Sequence, residues 1–300
     1  MEKYGNYLGV LKWSLQQNDG TKPSEVKPMS KEDQEFFEKA MEEACISDAQ
    51  RMKKCLESLK APGIDEGTTV ALLEDLETFL ENLDNARDFQ NLEGYQFVTN
   101  LLHTTESQEV RLACLSLLGT AAQNQPVVQK ILLDAKVLPT LVDALRTTKD
   151  PTFQARLIRC ISSMISGYGP AEQSFLFLHG LNVLKTILFE KESTVPVIRK
   201  CLFLLNQLLH SQAAFLRNFL SAEFVNHLAA VYLNHSDVDI KEASLLLVGG
   251  ILSLDRQSFT KEEVEDSLTK VLPPVLQYSL QPDVPEEVKT AIASIARFVQ

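Results

Sequence analysis

One pattern of fifteen residues returns along the chain at nearly constant spacing. It reads TVALLEDLETFLENL from Thr69, VRLACLSLLGTAAQN from Val110, FQARLIRCISSMISG from Phe153, VIRKCLFLLNQLLHS from Val197 and IKEASLLLVGGILSL from Ile240. A truncated copy, VKTAIASIARFVQ, begins at Val288. Successive starts differ by 41, 43, 44, 43 and 48 residues. The fifth and eighth places hold Leu73/Leu76, Cys114/Leu117, Leu157/Cys160, Cys201/Leu204, Ser244/Leu247 and Ile292/Ile295. All but Ser244 are apolar, and a spacing of three puts each pair on one helix face. A single copy cannot bury that face by itself, so neighbouring copies must stack.

A second unit lies between successive copies: GYQFVTNLL, KVLPTLVDAL, GLNVLKTIL and EFVNHLAAVYL. Each is preceded by a short helical stretch ending near Gly94, Lys136, Gly180 or Glu223, where glycine suits a helix C-cap or a tight corner. A period near 42 residues, with one short and two longer helices, is the armadillo pattern. The expected fold is all-α, an armadillo-like superhelical solenoid. Its third helices, the segments aligned above, are expected to line a concave wall.

The N-terminal part differs. Residues 1–17 form an amphipathic stretch, with Leu8, Leu11 and Leu15 on one side and Trp13 beside them. NDGTKPSEVKPM (18–29) is polar and holds two prolines, a linker signature. Ser30 reads as an N-cap with Asp33 at the capping-box position. Helical periodicity follows through Phe37, Met41 and Ala44, then Met52, Cys55, Leu56 and Leu59, until APGIDEGT (61–68) breaks it. The expected organisation is a flexible leader and linker over 1–29 and an armadillo-like domain over 30–300. Within that domain a helical layer covers 30–68, repeats cover 69–285 and a capping helix covers 286–300. The capping half-repeat favours a monomer.

Composition closes off several functions. The formal net charge of −11 opposes binding to nucleic acid or to an anionic membrane, both of which draw on Lys and Arg. It suits a chain that meets a basic patch on a protein partner. The five cysteines (Cys45, Cys55, Cys114, Cys160, Cys201) form no CxxC and no disulfide framework. Cys114 and Cys201 share a repeat column and Cys160 sits in the adjacent one, as packing cysteines do. The five histidines (103, 179, 210, 227, 235) show no HExxH spacing and sit near expected helix ends or loops. No P-loop, GxGxxG or GxSxG occurs, and SLTK (267–270) has no supporting motif. The carboxylates Glu74, Asp75, Glu77 and Glu81 read as a solvated helix face rather than an acid–base pair. No catalytic residue, cofactor or metal is expected. The N-terminus lacks a secretory signal and the C-terminus a retention tail, so the expected compartment is the cytosol.

FLENLDNARDFQNLEGY (79–95), LLGTAAQNQPVVQ (117–129) and PMSKEDQEFFEKAMEEA with MKKCLESL (28–44 and 52–59) resemble the armadillo-type nucleotide exchange factors of heat-shock protein 70. VLKWSLQQNDG (10–20) is similar to the short leader of fungal members. The likeness runs over essentially the whole chain and is weakest over 255–285. It implies a co-chaperone of the cytosolic branch that wraps one lobe of the chaperone's nucleotide-binding domain. Such a protein makes and breaks no bond. It binds the open form more tightly, which by linkage weakens nucleotide binding.

Candidate contact residues follow from repeat position and from that resemblance. Third and tenth places are expected to point into the groove: Ala71 and Thr78, Leu112 and Gly119, Ala155 and Ser162, Arg199 and Asn206, Glu242 and Gly249. Arg199 stands out, since its guanidinium can pair bidentately with a partner carboxylate. In Leu83-Asp84-Asn85-Ala86, Ala86 is small where a close contact needs it, and Asn85 is placed to cap the helix or meet the partner. The resemblance also implies a client-mimicking leader, for which Leu8, Leu11, Trp13 and Leu15 are suitable. The alternative is an armadillo scaffold with another partner. An import adaptor is disfavoured, because the single tryptophan, Trp13, lies outside the repeats.

Overall fold

The computed structural model describes residues 31, 36, 46–190, 192–212, 221–254 and 260–300. Two compact units divide the chain, residues 1–61 and residues 62–300. Among the described residues there are fifteen α-helices and no strand. Ser30, Asp33, Phe37, Met41, Ala44 and the whole leader, with Leu8, Leu11, Trp13 and Leu15, lie outside the described residues.

In the first unit, α1 (Asp48–Leu59) opens with a reciprocal capping box. The Gln50 amide donates to Ser47 Oγ at 3.3 Å, and the Ser47 amide donates to Gln50 Oε1 at 3.2 Å. Met52, Leu56 and Leu59, spaced by four and three, form its buried face.

The second unit begins with α2 (Glu66–Leu80). Three helix triplets follow: α3 (Asn85–Asn91), α4 (Gly94–Thr104) and α5 (Gln108–Ala122); α6 (Pro126–Asp134), α7 (Val137–Thr147) and α8 (Pro151–Ile165); α9 (Gly169–Phe177), α10 (Gly180–Phe189) and α11 (Val195–Ser211). Next come α12 (Ala222–Asn234) and α13 (Val238–Leu254), then α14 (Lys261–Ser279) and α15 (Glu286–Val299). The repeated segments are the helices α2, α5, α8, α11, α13 and α15. Each packs on the next in that order. Both columns predicted to be buried are buried in every copy. Ser244, the polar exception, is fully enclosed and donates to the Ile240 carbonyl at 2.7 Å. That intrahelical bond lets a hydroxyl occupy a core site.

Four of these six helices, α2, α5, α8 and α13, start at an Asp or Ser that caps the first turn. Asp65 accepts from the Thr68 amide (2.9 Å), Ser107 from Val110 (3.2 Å), Asp150 from Phe153 (2.8 Å) and Asp237 from Ile240 (3.1 Å). These caps satisfy amides that the first helical turn leaves unpaired.

Two expectations about glycine are corrected. At the corner after the short helix, the left-handed residue is the one before the glycine position: Glu93 (φ 58°), Lys136 (57°) and His179 (56°). Gly94 and Gly180 begin the next helix, and an aromatic ring explains them. A Cβ on Gly94 would lie 2.4 Å from the Phe89 ring, and one on Gly180 would lie 2.3 Å from Phe175. In the copy with Val137 at this place, Leu132 replaces the phenylalanine. Glu223 marks no such corner, because it sits in the first turn of α12. The tenth-place glycines also face inward instead of into a groove. A Cβ on Gly119 would sit 3.4 Å from Cys160 Cα, and one on Gly249 would sit 2.6 Å from Ala291 Cα, so they let neighbouring third helices approach closely.

Candidate functional site

The exposed side of the third helices carries a ladder of side-chain bonds between repeats. Glu77 of α2 accepts from two hydroxyls of α5, Ser116 at 2.9 Å and Thr120 at 2.6 Å. Ser116 Oγ in turn accepts from Arg156 Nη1 at 3.0 Å, and Thr120 Oγ1 from Arg159 Nη2 at 3.4 Å, both on α8. A hydroxyl can donate once while accepting, so each serves as a two-way rung. Farther along, Asn206 Nδ2 of α11 donates to the Ala243 carbonyl of α13 at 2.9 Å. Tyr278 of α14 donates to Glu242 at 2.6 Å, and this bond pushes the phenol up to about 12.

Beside this ladder lies an open groove of about 810 Å³. Its walls come from α8, α11 and α13, and include Arg159, Ser162, Lys200, Phe203, Asn206 and Glu242. Phe203 is 65% exposed there. Burial, and then the charges of Arg159 and Arg156, hold the Lys200 ammonium below its ordinary range.

Arg199 lines the same groove, but its own chain already engages it. Its Nε donates to Asp237 Oδ1 at 3.0 Å, its Nη2 donates to Asp237 Oδ2, and its Nη1 lies 3.1 Å from Asp239. The bidentate bond raises the guanidinium and holds the Asp237 carboxyl below its usual range. A partner carboxylate would have to share or displace these two aspartates. Asn206 also lines the groove, with its amide spent on the Leu202 and Ala243 carbonyls. Thr78 is exposed and bonds back to Glu74 at 3.1 Å, and Leu112 is half-buried.

Asn85 and Ala86 are corrected from surface to interior, being 6% and 9% exposed. Asn85 Nδ2 donates to the Phe79 carbonyl at 2.8 Å and fastens the turn between α2 and α3. Of the four carboxylates, Glu74, Asp75 and Glu81 are exposed, while half-buried Glu77 anchors the ladder. Cys114, Cys160 and Cys201 are buried, and burial raises all three thiols, the first two to about 12. His227 lies within α12 rather than at an end. Its ring stacks on Phe189 at 3.8 Å, and its Nε2 is 2.9 Å from the Leu188 carbonyl.

Arg156, Arg159, Lys200 and Phe203 were not singled out from the sequence. They occupy the fourth and seventh places of the aligned copies, one helical turn apart. Reading those two columns beside the third and tenth would have found them.

The architecture places the chain among armadillo-repeat proteins. A designed armadillo repeat protein, YIII(Dq)4CqI, superposes with a TM-score of 0.67 over 83% of this chain and 100% of that one, at 14% identity. ARO, the armadillo repeats only protein from Plasmodium falciparum, gives 0.55 over 75% of this chain and 100% of that one, at 13% identity. Sequence relationships are more specific. Residues 85–227 match the SIL1/FES1/HPBP1 C-terminal domain, and residues 8–89 match the family described as nucleotide exchange factor Fes1. The two adjoining matches span most of the chain, which belongs to the SIL1/FES1/HPBP1 family.

Among its relatives is the Hsp70 nucleotide exchange factor FES1 of Saccharomyces cerevisiae, 24% identical over 67% of this chain and 70% of that protein. Hsp70-binding protein 1 of Homo sapiens is 26% identical over 68% of this chain and 60% of that protein. Nucleotide exchange factor SIL1 of Mus musculus is 29% identical over 51% of this chain and only 33% of that protein.

Proposed function

We propose that this protein is a nucleotide exchange factor for a cytosolic heat-shock protein 70. It binds the chaperone's nucleotide-binding domain along the groove face, from Thr78 and Leu112 at one end to Arg199 and Asn206 at the other. The observation that carries the reading is the pair of family matches over residues 8–89 and 85–227, the second of which takes in the helices α5, α8 and α11.

The mechanism needs no catalytic group. A stacked array of helices is a stiff template. If it fits the open nucleotide-binding domain better than the closed one, it shifts the population toward the open form. Nucleotide affinity then falls by the same factor that separates the two affinities for this protein. ADP leaves, ATP enters and the client is released. The functional chain is a monomer, with an armadillo-like domain over residues 30–300 and a leader over 1–29 whose Leu8, Leu11, Trp13 and Leu15 enter the client groove.

Stopped-flow release of a fluorescent ADP from a purified cytosolic heat-shock protein 70 tests this reading. Release is expected to accelerate in proportion to added protein until saturation. No acceleration with any cytosolic paralogue would leave an armadillo scaffold with a different partner.

A further inference from the structure

The chain is acidic overall, yet Arg159 and Lys200 line one stretch of the groove wall, with Arg156 one turn earlier on α8. Arg156 and Arg159 stand three residues apart on α8, and Lys200 and Phe203 stand three apart on α11. In the aligned copies Arg156 matches Lys200, and Arg159 matches Phe203, so the four side chains form two adjacent rungs. The three cations are half-buried. None of them has a carboxylate partner in an ion pair among the described residues. Both arginines reach back only to hydroxyls, at 3.0 and 3.4 Å, and Glu77 is met through those hydroxyls. Of the acidic groups that line the groove, Asp239 is held by Arg199 and Glu242 by Tyr278, while Glu287 lies on α15.

Three like charges this close, partly removed from water, cost free energy that a bound anion would relieve. One hydroxyl bond tethers each guanidinium, so part of its rotamer freedom is already lost before binding. Phe203 supplies a large exposed apolar surface beside them. An aromatic ring next to arginines in a concave site is the composition from which binding hot spots are built.

We infer that Arg156, Arg159 and Lys200 form the receptor for an acidic surface segment of the partner, with Phe203 packing on an apolar side chain one turn along that segment. The inference rests on the function proposed above, and identifies the partner surface as a stretch of the nucleotide-binding domain that carries several carboxylates. The centre of the interface then lies on α8 and α11, not on Arg199, whose charge Asp237 and Asp239 already hold.

The test uses the full chain and two probes: the purified heat-shock protein 70 nucleotide-binding domain, and a fluorescent peptide of glutamates with a single leucine. Affinities are measured for the wild type, for the combined Arg156→Gln, Arg159→Gln, Lys200→Gln variant, and for Phe203→Ala. A charge-matched control, Lys130→Gln, Lys149→Gln, Lys185→Gln, removes cations that already pair with Asp134, Glu190 and Glu223. Thermal melts followed by circular dichroism check that each variant folds.

The groove variant is expected to bind the domain at least about tenfold more weakly, and the control to stay within about twofold. If the domain binds wild type and groove variant equally, the inference is overturned while the exchange-factor reading stands. If the domain fails to bind but the peptide binds and needs the three cations, the acidic-segment receptor stands, while its assignment to the nucleotide-binding domain falls with the function reading. Binding of neither probe overturns both.

Discussion

The Thr120 hydroxyl donates to the Glu77 carboxylate at 2.6 Å across 43 residues of chain, and accepts from the Arg159 guanidinium at 3.4 Å. One side chain therefore joins three successive repeats. Glu77→Ala removes the acceptor of two charge-assisted bonds and is expected to cost about 2 kcal/mol. Thr120→Val should cost about 1 kcal/mol. Because they share a network, the double variant should lose less than the sum. Urea unfolding of the four proteins checks this, and strict additivity would mean that the rung is not formed.

Gly94→Ala and Gly180→Ala force a methyl group into the ring of Phe89 or Phe175. Each should destabilise by about 1–3 kcal/mol. The Leu132/Val137 copy shows the natural compensation, a smaller residue where the ring would be. Phe175→Leu combined with Gly180→Ala should therefore recover part of the loss seen with Gly180→Ala alone. Thermal unfolding of the two single variants and the pair measures the coupling. A pair that is the plain sum of its parts would contradict the ring–glycine explanation.

How legible these features were depends on how far apart the partners lie. The buried columns are readable because apolar residues three apart announce a helix face, and Leu73/Leu76 through Ile292/Ile295 do so in every copy but Ser244/Leu247. The reason for Gly94 was less visible. Its constraint comes from a ring five residues earlier that folds back over it, and glycine alone suggested a positive φ that Glu93 carries instead. Arg199 looked free because Asp237 is 38 residues away and its capping role in α13 gave no hint of a second task. Asn85 and Ala86 carried a surface expectation from family likeness, but the turn that links α2 to α3 folds them inside. The cations on α8 and α11 are legible in the repeat alignment, at its fourth and seventh places.

The Arg199–Asp237 bridge gives a pH signature. The folded-state pKa of Asp237 is depressed, chiefly by Arg199. Its stabilisation is therefore present above the ordinary carboxylate range and is lost as pH falls through the folded value. Wild type should exceed Arg199→Ala in stability at neutral pH only modestly, since solvent screens this exposed pair. That gap should close below about pH 4. Urea midpoints at several pH values check this. A gap that persists in strong acid would assign it to packing of the arginine stem.

His227 should act in a different window. Burial holds its folded pKa below the ordinary 6.5, against opposing effects from the Leu188 carbonyl and Glu223, with Lys185 adding to the depression. Here the unfolded chain binds more protons, so stability falls as pH drops through the ordinary histidine value. His227→Gln should flatten the stability profile between about pH 7 and pH 5. An unchanged slope would place that titration elsewhere.

The central claim is a coupling between two bound molecules, and reciprocity tests it most directly. The affinity of this protein for the heat-shock protein 70 nucleotide-binding domain is measured with and without saturating ADP, and the ADP affinity with and without saturating protein. The two ratios should be equal, and larger than about fivefold. Ratios of one, with the complex nevertheless formed, would mean that this protein binds the chaperone without driving nucleotide exchange.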